Sequence, residues 1–203
     1  MQASKSKEPV APELEKTMEH LVQLIHRPSI TPNDAGCQQY LTRVFQQLDF
    51  ECENFEVEGI SNLIAKIGKG PTRIAFAGHT DVVPAPNPEL WDNDPFSLNE
   101  VNGNLFGRGI ADMKGGIAAM LTAFEFAKPH LDLDKFSFYF LITSDEEGEA
   151  EFGTKEIVER LTQHGENPHY CIVGEPSSQN KVGDVIKVGR RGSISGEIKI
   201  SGI

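Results

Sequence analysis

Apolar positions recur at helical spacing near the start of the chain. Leu14, Met18, Leu21, Val22 and Ile25 share one face of a segment opening at Pro12. The spacing predicts an amphipathic helix over 12–26, ended by Arg27-Pro28. Tyr40, Leu41, Val44, Phe45 and Leu48 predict a second helix from about Cys37 to Leu48. The pattern then shortens. Asn62 to Gly68 reads as a strand closed by the turn signal Gly68-Lys69-Gly70-Pro71, and Arg73 to Gly78 is apolar enough for a buried central strand. A loop rich in Pro, Asn and Asp follows His79 and runs through Trp91 to Phe96. Loops of that length in compact domains usually carry function.

Small residues from Gly116 to about Phe126 predict a helix able to pack close to a sheet. Phe136 to Thr143 predicts a strand, Lys155 to Leu161 a helix, and Tyr170 to Val173 another strand. The alternation predicts an α/β fold with a sheet flanked by helices. Near the end, Ile194, Ile198 and Ile200 alternate with polar residues, as in a half-exposed strand. No internal repeat interrupts this order.

Composition narrows the class. The chain has 203 residues, 38% of them hydrophobic and 24% charged, and no apolar stretch long enough to span a bilayer. Residues 1–11 carry positive charge without a following apolar core, so they read as a loose tail rather than a secretory signal. The three cysteines, Cys37, Cys52 and Cys171, lack metal-site spacing and read as reduced, mostly buried thiols of a cytoplasmic protein. The net charge is −11, with no basic stripe to neutralise phosphates, which argues against a nucleic-acid partner.

The candidate chemistry lies in four separated motifs: Gly78-His79-Thr80-Asp81, Gly109-Ile110-Ala111-Asp112-Met113-Lys114-Gly115-Gly116, Ser144-Asp145-Glu146-Glu147-Gly148, and Val173-Gly174-Glu175-Pro176. Each puts a metal-competent side chain just after an apolar run. In α/β sheets, ligands bind at the C-terminal ends of strands, where all four motifs fall. Hard oxygen donors with one imidazole suit Zn²⁺ or a similar divalent ion. If His79 binds a metal through one ring nitrogen, the other needs an acceptor, and Asp81 is placed to serve. The same pair also reads as a loop His beside a turn Asp. Asp112 fits two roles, capping the small-residue helix or bridging two ions roughly 3.5–4 Å apart. Side chains of adjacent residues at a strand end diverge, so Glu147 is assigned to metal and Glu146 to proton transfer, against a solvated acidic turn. Glu175 alone reads as a surface turn residue, and in company with the other motifs as a ligand. His20, His26, His130, His164 and His169 read as surface or internally satisfied residues. No nucleophile elbow, phosphate loop or dinucleotide fingerprint is present. Lys187, Arg190 and Arg191 form a basic cluster that suits carboxylate recognition or an exposed turn.

Taken together, these motifs resemble the M20 family of metallopeptidases and deacylases, over a match that runs from the first helix to the end of the chain. The stretches carrying it are Gly78 to Pro84, Gly107 to Gly115, Thr143 to Gly148 and Val173 to Ser178. Gly183-Asp184-Val185 and Gly189-Arg190-Arg191-Gly192-Ser193 look more like the succinyl-removing than the acetylornithine-deacetylating branch. The resemblance implies two divalent ions, Zn²⁺ with Co²⁺ as an option. His79, Asp112 and Glu175 would hold one, and Asp112 and Glu147 the second. It makes Glu146 the general base and Asp81 the residue that orients His79. Lys187, Arg190 and Ser193 become anchors for a small N-acyl amino-acid substrate, expected to be N-succinyl-LL-2,6-diaminopimelate.

The family's second ion takes a further His that has no counterpart here. By resemblance, then, 12–188 is the N-terminal part of a zinc-peptidase-like catalytic domain. Residues 189–203 begin an α+β lid or dimerisation domain of a longer, homodimeric enzyme, with Phe138, Phe140 and the small-residue helix incompletely covered. An acetylornithine deacetylase or another M20 aminoacylase or carboxypeptidase is the alternative within the family, and a non-catalytic metal-binding piece is the reading of a different class. An additional metal-ligand His beyond Ile203 would separate that last reading from the catalytic ones.

Overall fold

The computed structural model describes residues 11–189 together with 192, 196, 198–200 and 202. Helix α1 spans Pro12–Ile25 and α2 spans Cys37–Gln47. Strands β1 (Glu51–Val57), β2 (Ile60–Ile67) and β3 (Thr72–His79) follow. After a long connection holding the hairpin β4 (Asn99–Val101) and β5 (Asn104–Phe106) come α3 (Gly115–Ala127), β6 (Phe136–Thr143), α4 (Thr154–Gln163) and β7 (Tyr170–Val173). Among the described residues no helix is long and apolar enough to cross a membrane.

Five strands form one mixed sheet in the order β1-β2-β6-β3-β7. β1–β2 and β2–β6 are antiparallel, whereas β3 runs parallel to both β6 and β7. β6 is central and buried on both faces, and its alternation divides the core. Phe138, Phe140 and Ile142 join α1, α2 and α3 in one cluster, and Tyr139 and Leu141 join Ile157 and Leu161 of α4 in the other. Phe140 lies against Phe45, Phe50, Phe76 and Phe124, with ring centroids 4.7–6.0 Å apart. Such aromatic pairs add to the area they bury.

The parallel register positions the motifs. His79 pairs with Thr143 and Ala77 with Val173, so β3, β6 and β7 end side by side. The next residues of each strand, through Asp81, through Glu147 and at Glu175, therefore emerge at one sheet edge.

Several expectations need correction. β1 is absent from the sequence-based reading: its acidic residues hide the alternation, and most of the strand is exposed because it lies at the sheet edge. The loop after His79 also contains the β4–β5 hairpin, whose Asn102-Gly103 turn takes positive φ at both residues, as a two-residue hairpin turn requires. Phe138, Phe140 and the buried face of α3 are covered, by α1, α2 and one another. Phe126, at the outer side of α3, is exposed, and so are Tyr170, Ile172 and Val173 of β7, because that strand is the opposite edge of the sheet. For the same reason Cys171 is exposed; Cys52 is half-buried, and only Cys37 is fully buried. Most of the strand expected at 194–200 lies outside the described residues, and Ile198, Lys199 and Ile200 form no strand.

Candidate metal centre

His79 ends β3 and is 1% exposed. Its Nδ1 lies 2.9 Å from the main-chain carbonyl of Asp81 and 3.4 Å from that residue's Oδ1. A carbonyl can only accept, so Nδ1 carries a proton, and Nε2 is the ring nitrogen left to bind an ion once its own proton is displaced. Nε2 faces Asp112 Oδ1 at 3.1 Å, Glu175 Oε1 at 3.4 Å and Glu146 Oε2 at 3.9 Å. Three chain segments thus bring carboxylates to one imidazole nitrogen. Asp112 makes no side-chain cap for α3, and its Oδ1 lies against the His79 ring instead.

Potential ligand atoms form two overlapping groups, His79/Glu146/Glu175 and His79/Asp112/Glu147, each with atoms within 4.8 Å of one another. All six residues singled out in the first four motifs are brought together, Asp81 through His79. Glu146 falls in the group with Glu175 and Asp112 in the group with Glu147, while Asp112 and Glu175 both lie against His79 Nε2. Lys187 is exposed, and Arg190 and Ser193 lie outside the described residues.

Electrostatics explain why this cluster suits cations. Burial alone would lower the His79 pKa, but Asp81 and the charge of Glu175 outweigh it and raise the value to about 9. Glu175 is raised to about 7, first by burial and then by repulsion from Asp112. Glu147 is raised by burial and then by Asp112. Burial also opposes ionisation of Asp81, yet contact with His79 and the Glu147 amide hold its pKa below the ordinary value. Protons are here retained where negative charge is in excess. A divalent cation would replace them, and the imidazole-plus-oxygen donor set fits one.

The supports of the site were missed in the sequence. Thr80, between His79 and Asp81, donates its hydroxyl to Asp34 Oδ1 at 2.8 Å, and its carbonyl accepts from Ser29 Oγ at 2.6 Å. Asp34 also accepts the Gln38 amide in the first turn of α2. Lys114 is fully buried, and its Nζ donates to the carbonyls of Leu24 and Arg27 at 2.9 and 2.8 Å, tying the Asp112 segment to the end of α1. Met113 Sδ accepts from the His79 amide at 3.3 Å. The only hint was the apolar setting of Lys114; Ser29 and Asp34 look like ordinary loop residues.

Asp34→Ala would leave a helix-end amide without its side-chain acceptor and the Thr80 hydroxyl with only its longer contact to the Thr143 carbonyl, at 3.3 Å. It is expected to cost about 1–2 kcal/mol of stability, read from the urea unfolding midpoint. An unchanged midpoint would remove Asp34 as an anchor of the His79 segment.

A buried imidazole ringed by carboxylates thus lies at the C-terminal edge of an α/β sheet, a donor set suited to divalent metal ions. Residues 75–201, more than half of the chain, match the profile of peptidase family M20/M25/M40, and the chain belongs to that family. It is 53% identical over 179 residues to succinyl-diaminopimelate desuccinylase 1 of Alteromonas mediterranea, covering 88% of this chain and 46% of that protein. Against the succinyl-diaminopimelate desuccinylase of Legionella pneumophila (strain Corby) it is 51% identical, covering 90% of this chain and 48% of the relative. The chain spans about half the length of the curated relatives it matches. Among solved structures, human carnosine dipeptidase 1 shares the fold with a TM-score of 0.69 at 23% identity, over 79% of this chain and 38% of that one. An M20 family metallo-carboxypeptidase from Sulfolobus solfataricus gives a TM-score of 0.69 at 22% identity, over 81% of this chain and 37% of that one.

Proposed function

We propose that the complete protein hydrolyses N-succinyl-LL-2,6-diaminopimelate to succinate and LL-2,6-diaminopimelate, in diaminopimelate and lysine biosynthesis in the cytoplasm. The observation that carries the reaction type is the convergence of Asp112, Glu146 and Glu175 on His79 Nε2. The substrate reading is supported by the desuccinylase relatives at about half identity.

Zn²⁺ is the proposed metal, with Co²⁺ as a substitute, held by His79, Asp112, Glu147 and Glu175. Bound divalent ions would supply Lewis acidity and acidify a water at the site. Glu146 takes the proton from the attacking water as that oxygen adds to the amide carbonyl, and then delivers it to the departing amine nitrogen. Asp81 holds His79 in the tautomer that leaves Nε2 available. Lys187, Arg190 and Ser193 are proposed to anchor the substrate's carboxylates. In this reading residues 12–188 belong to the catalytic domain, 1–11 are a tail, and 189–203 open a lid or dimerisation domain of a homodimer.

The test is a panel of N-succinyl and N-acetyl amino acids, including acetylornithine, assayed with the complete protein. The succinylated diaminopimelate is expected to be preferred in kcat/KM by at least about tenfold, since sites built to bind a polar group discriminate strongly against its absence. Chelation should abolish turnover, and Zn²⁺ or Co²⁺ should restore it. Preference for acetylornithine would move the protein to the deacetylase branch. Activity that survives complete removal of divalent ions would end the metal reading.

A further inference from the structure

Three carboxylates stand in a row at the end of β6, and they have different fates. Glu146 and Glu147 contribute oxygens to the cluster around His79, while Asp145 belongs to neither ligand group. Asp145 is instead 4% exposed and turned into its own loop. Its Oδ1 accepts the Ala150 amide at 3.1 Å, and its Oδ2 accepts the amides of Glu151 and Phe152 at 3.1 and 3.3 Å. At the other end of the same loop, Asp81 accepts the Glu146 amide at 3.2 Å and the Glu147 amide at 3.0 Å.

Two buried carboxylates therefore take up five backbone N–H groups between Glu146 and Phe152. Side-chain acceptors of this kind replace the sheet partners that the chain loses when it leaves β6. The loop is fastened elsewhere as well: the Phe152 carbonyl accepts from Asn62 Nδ2 at 2.9 Å. At Gly148 an added Cβ would lie 2.8 Å from Asp145 Oδ1, so the loop backbone closes directly over that carboxylate.

We propose that Asp145 is a positioning residue, a carboxylate that clamps the 146–152 loop so that Glu146 and Glu147 present their oxygens to the His79 cluster. The inference rests on the metal reading of that cluster. Partners that orient metal ligands typically govern affinity by about 10–100-fold when removed.

The experiment uses Asp145→Ala and Asp145→Asn in the complete protein, with three readouts: hydrogen exchange of the 146–152 amides, Zn²⁺ and Co²⁺ titration, and the melting temperature. In Asp145→Ala, exchange at Ala150, Glu151 and Phe152 is expected to accelerate at least about tenfold. Affinity for the ion that uses Glu147 should fall by about 10–100-fold, and that for the other ion much less. Asp145→Asn keeps one acceptor oxygen and should fall between wild type and Asp145→Ala. If Asp145→Ala does not fold, the isosteric Asp145→Asn decides alone. A purely structural residue would lower the melting temperature and weaken both ions alike, which would overturn the proposal. So would wild-type ion affinity in Asp145→Ala, or unchanged exchange across the loop. If the wild-type protein binds neither ion, the metal reading fails, and exchange at Glu146 and Glu147 alone decides the clamp: acceleration supports it and no change overturns it.

Discussion

Glu146→Gln in the complete protein is expected to keep its metal ions and lose about a hundred- to ten-thousand-fold of its turnover. Glu147→Ala is expected to lose metal first and activity as a consequence. The two residues are neighbours in sequence and both near His79, so the distinction lies in what each substitution removes. Glutamine preserves the volume and one acceptor oxygen of Glu146 but cannot accept and return a proton at neutral pH. A rate loss in that range corresponds to about 3–5 kcal/mol of transition-state stabilisation, delivered without a change in ion content. Alanine at 147 removes a donor atom from the His79/Asp112/Glu147 group, leaving the ion there with fewer ligands.

The geometry makes the outcome a real test, because Glu146 also falls in a possible ligand group, with His79 and Glu175. Metal counting after dialysis, followed by assay of the dialysed samples with and without added Zn²⁺, separates the cases. If Glu146→Gln loses an ion while Glu147→Ala keeps both, the two roles are exchanged. The KM of Glu146→Gln should move little, since proton transfer is made in the transition state rather than in the bound complex.

How far the sequence revealed this site follows from what each residue does. Strand residues announce themselves through burial on both faces: Phe136–Thr143 was placed to the residue because every position is apolar or small, and the observed strand is the central one. Its parallel partner β3 was legible from its apolar run, although it stands next to the edge strand and only Ala75 and His79 in it are buried. Three of the four motifs follow strands of this sheet as expected, whereas Asp112 arrives from the segment between the β4–β5 hairpin and α3. β1 was not, because an edge strand with four acidic or amide side chains among its seven residues has little apolar pattern to read. The six residues of the cluster were legible because metal-competent side chains after apolar runs are rare in combination. Asp34, Ser29, Lys114 and Asp145 act on the backbone of other segments instead. Their partners, Thr80, the carbonyls of Leu24 and Arg27, and the amides of Ala150 to Phe152, are apparent only once distant segments are brought together or the loop is closed. Sequence spacing reveals ligands better than it reveals the groups that aim them.

Gly116 carries the same lesson at the level of a single methyl group. It lies in the first turn of α3, where an added Cβ would stand 2.4 Å from the Gly174 carbonyl oxygen and 3.3 Å from its carbon. Those are backbone atoms of the residue just before Glu175, so relief requires moving the end of β7 or the helix itself. Helix propensity alone would favour alanine over glycine by about 1 kcal/mol. Gly116→Ala is nevertheless expected to destabilise the protein by about 1–3 kcal/mol, the usual cost of overpacking. It should also weaken the ion that uses Glu175 by at least about tenfold, in the range seen when a ligand's support is disturbed. Gly189→Ala is the control, since a Cβ there meets nothing within 4 Å, and it should change neither quantity. Thermal melting of the apo protein reads the first effect and Zn²⁺ titration the second. A Gly116→Ala protein that melts higher than wild type and binds both ions normally would mean that α3 and β7 are free to separate, and that Glu175 is not held in place by this contact.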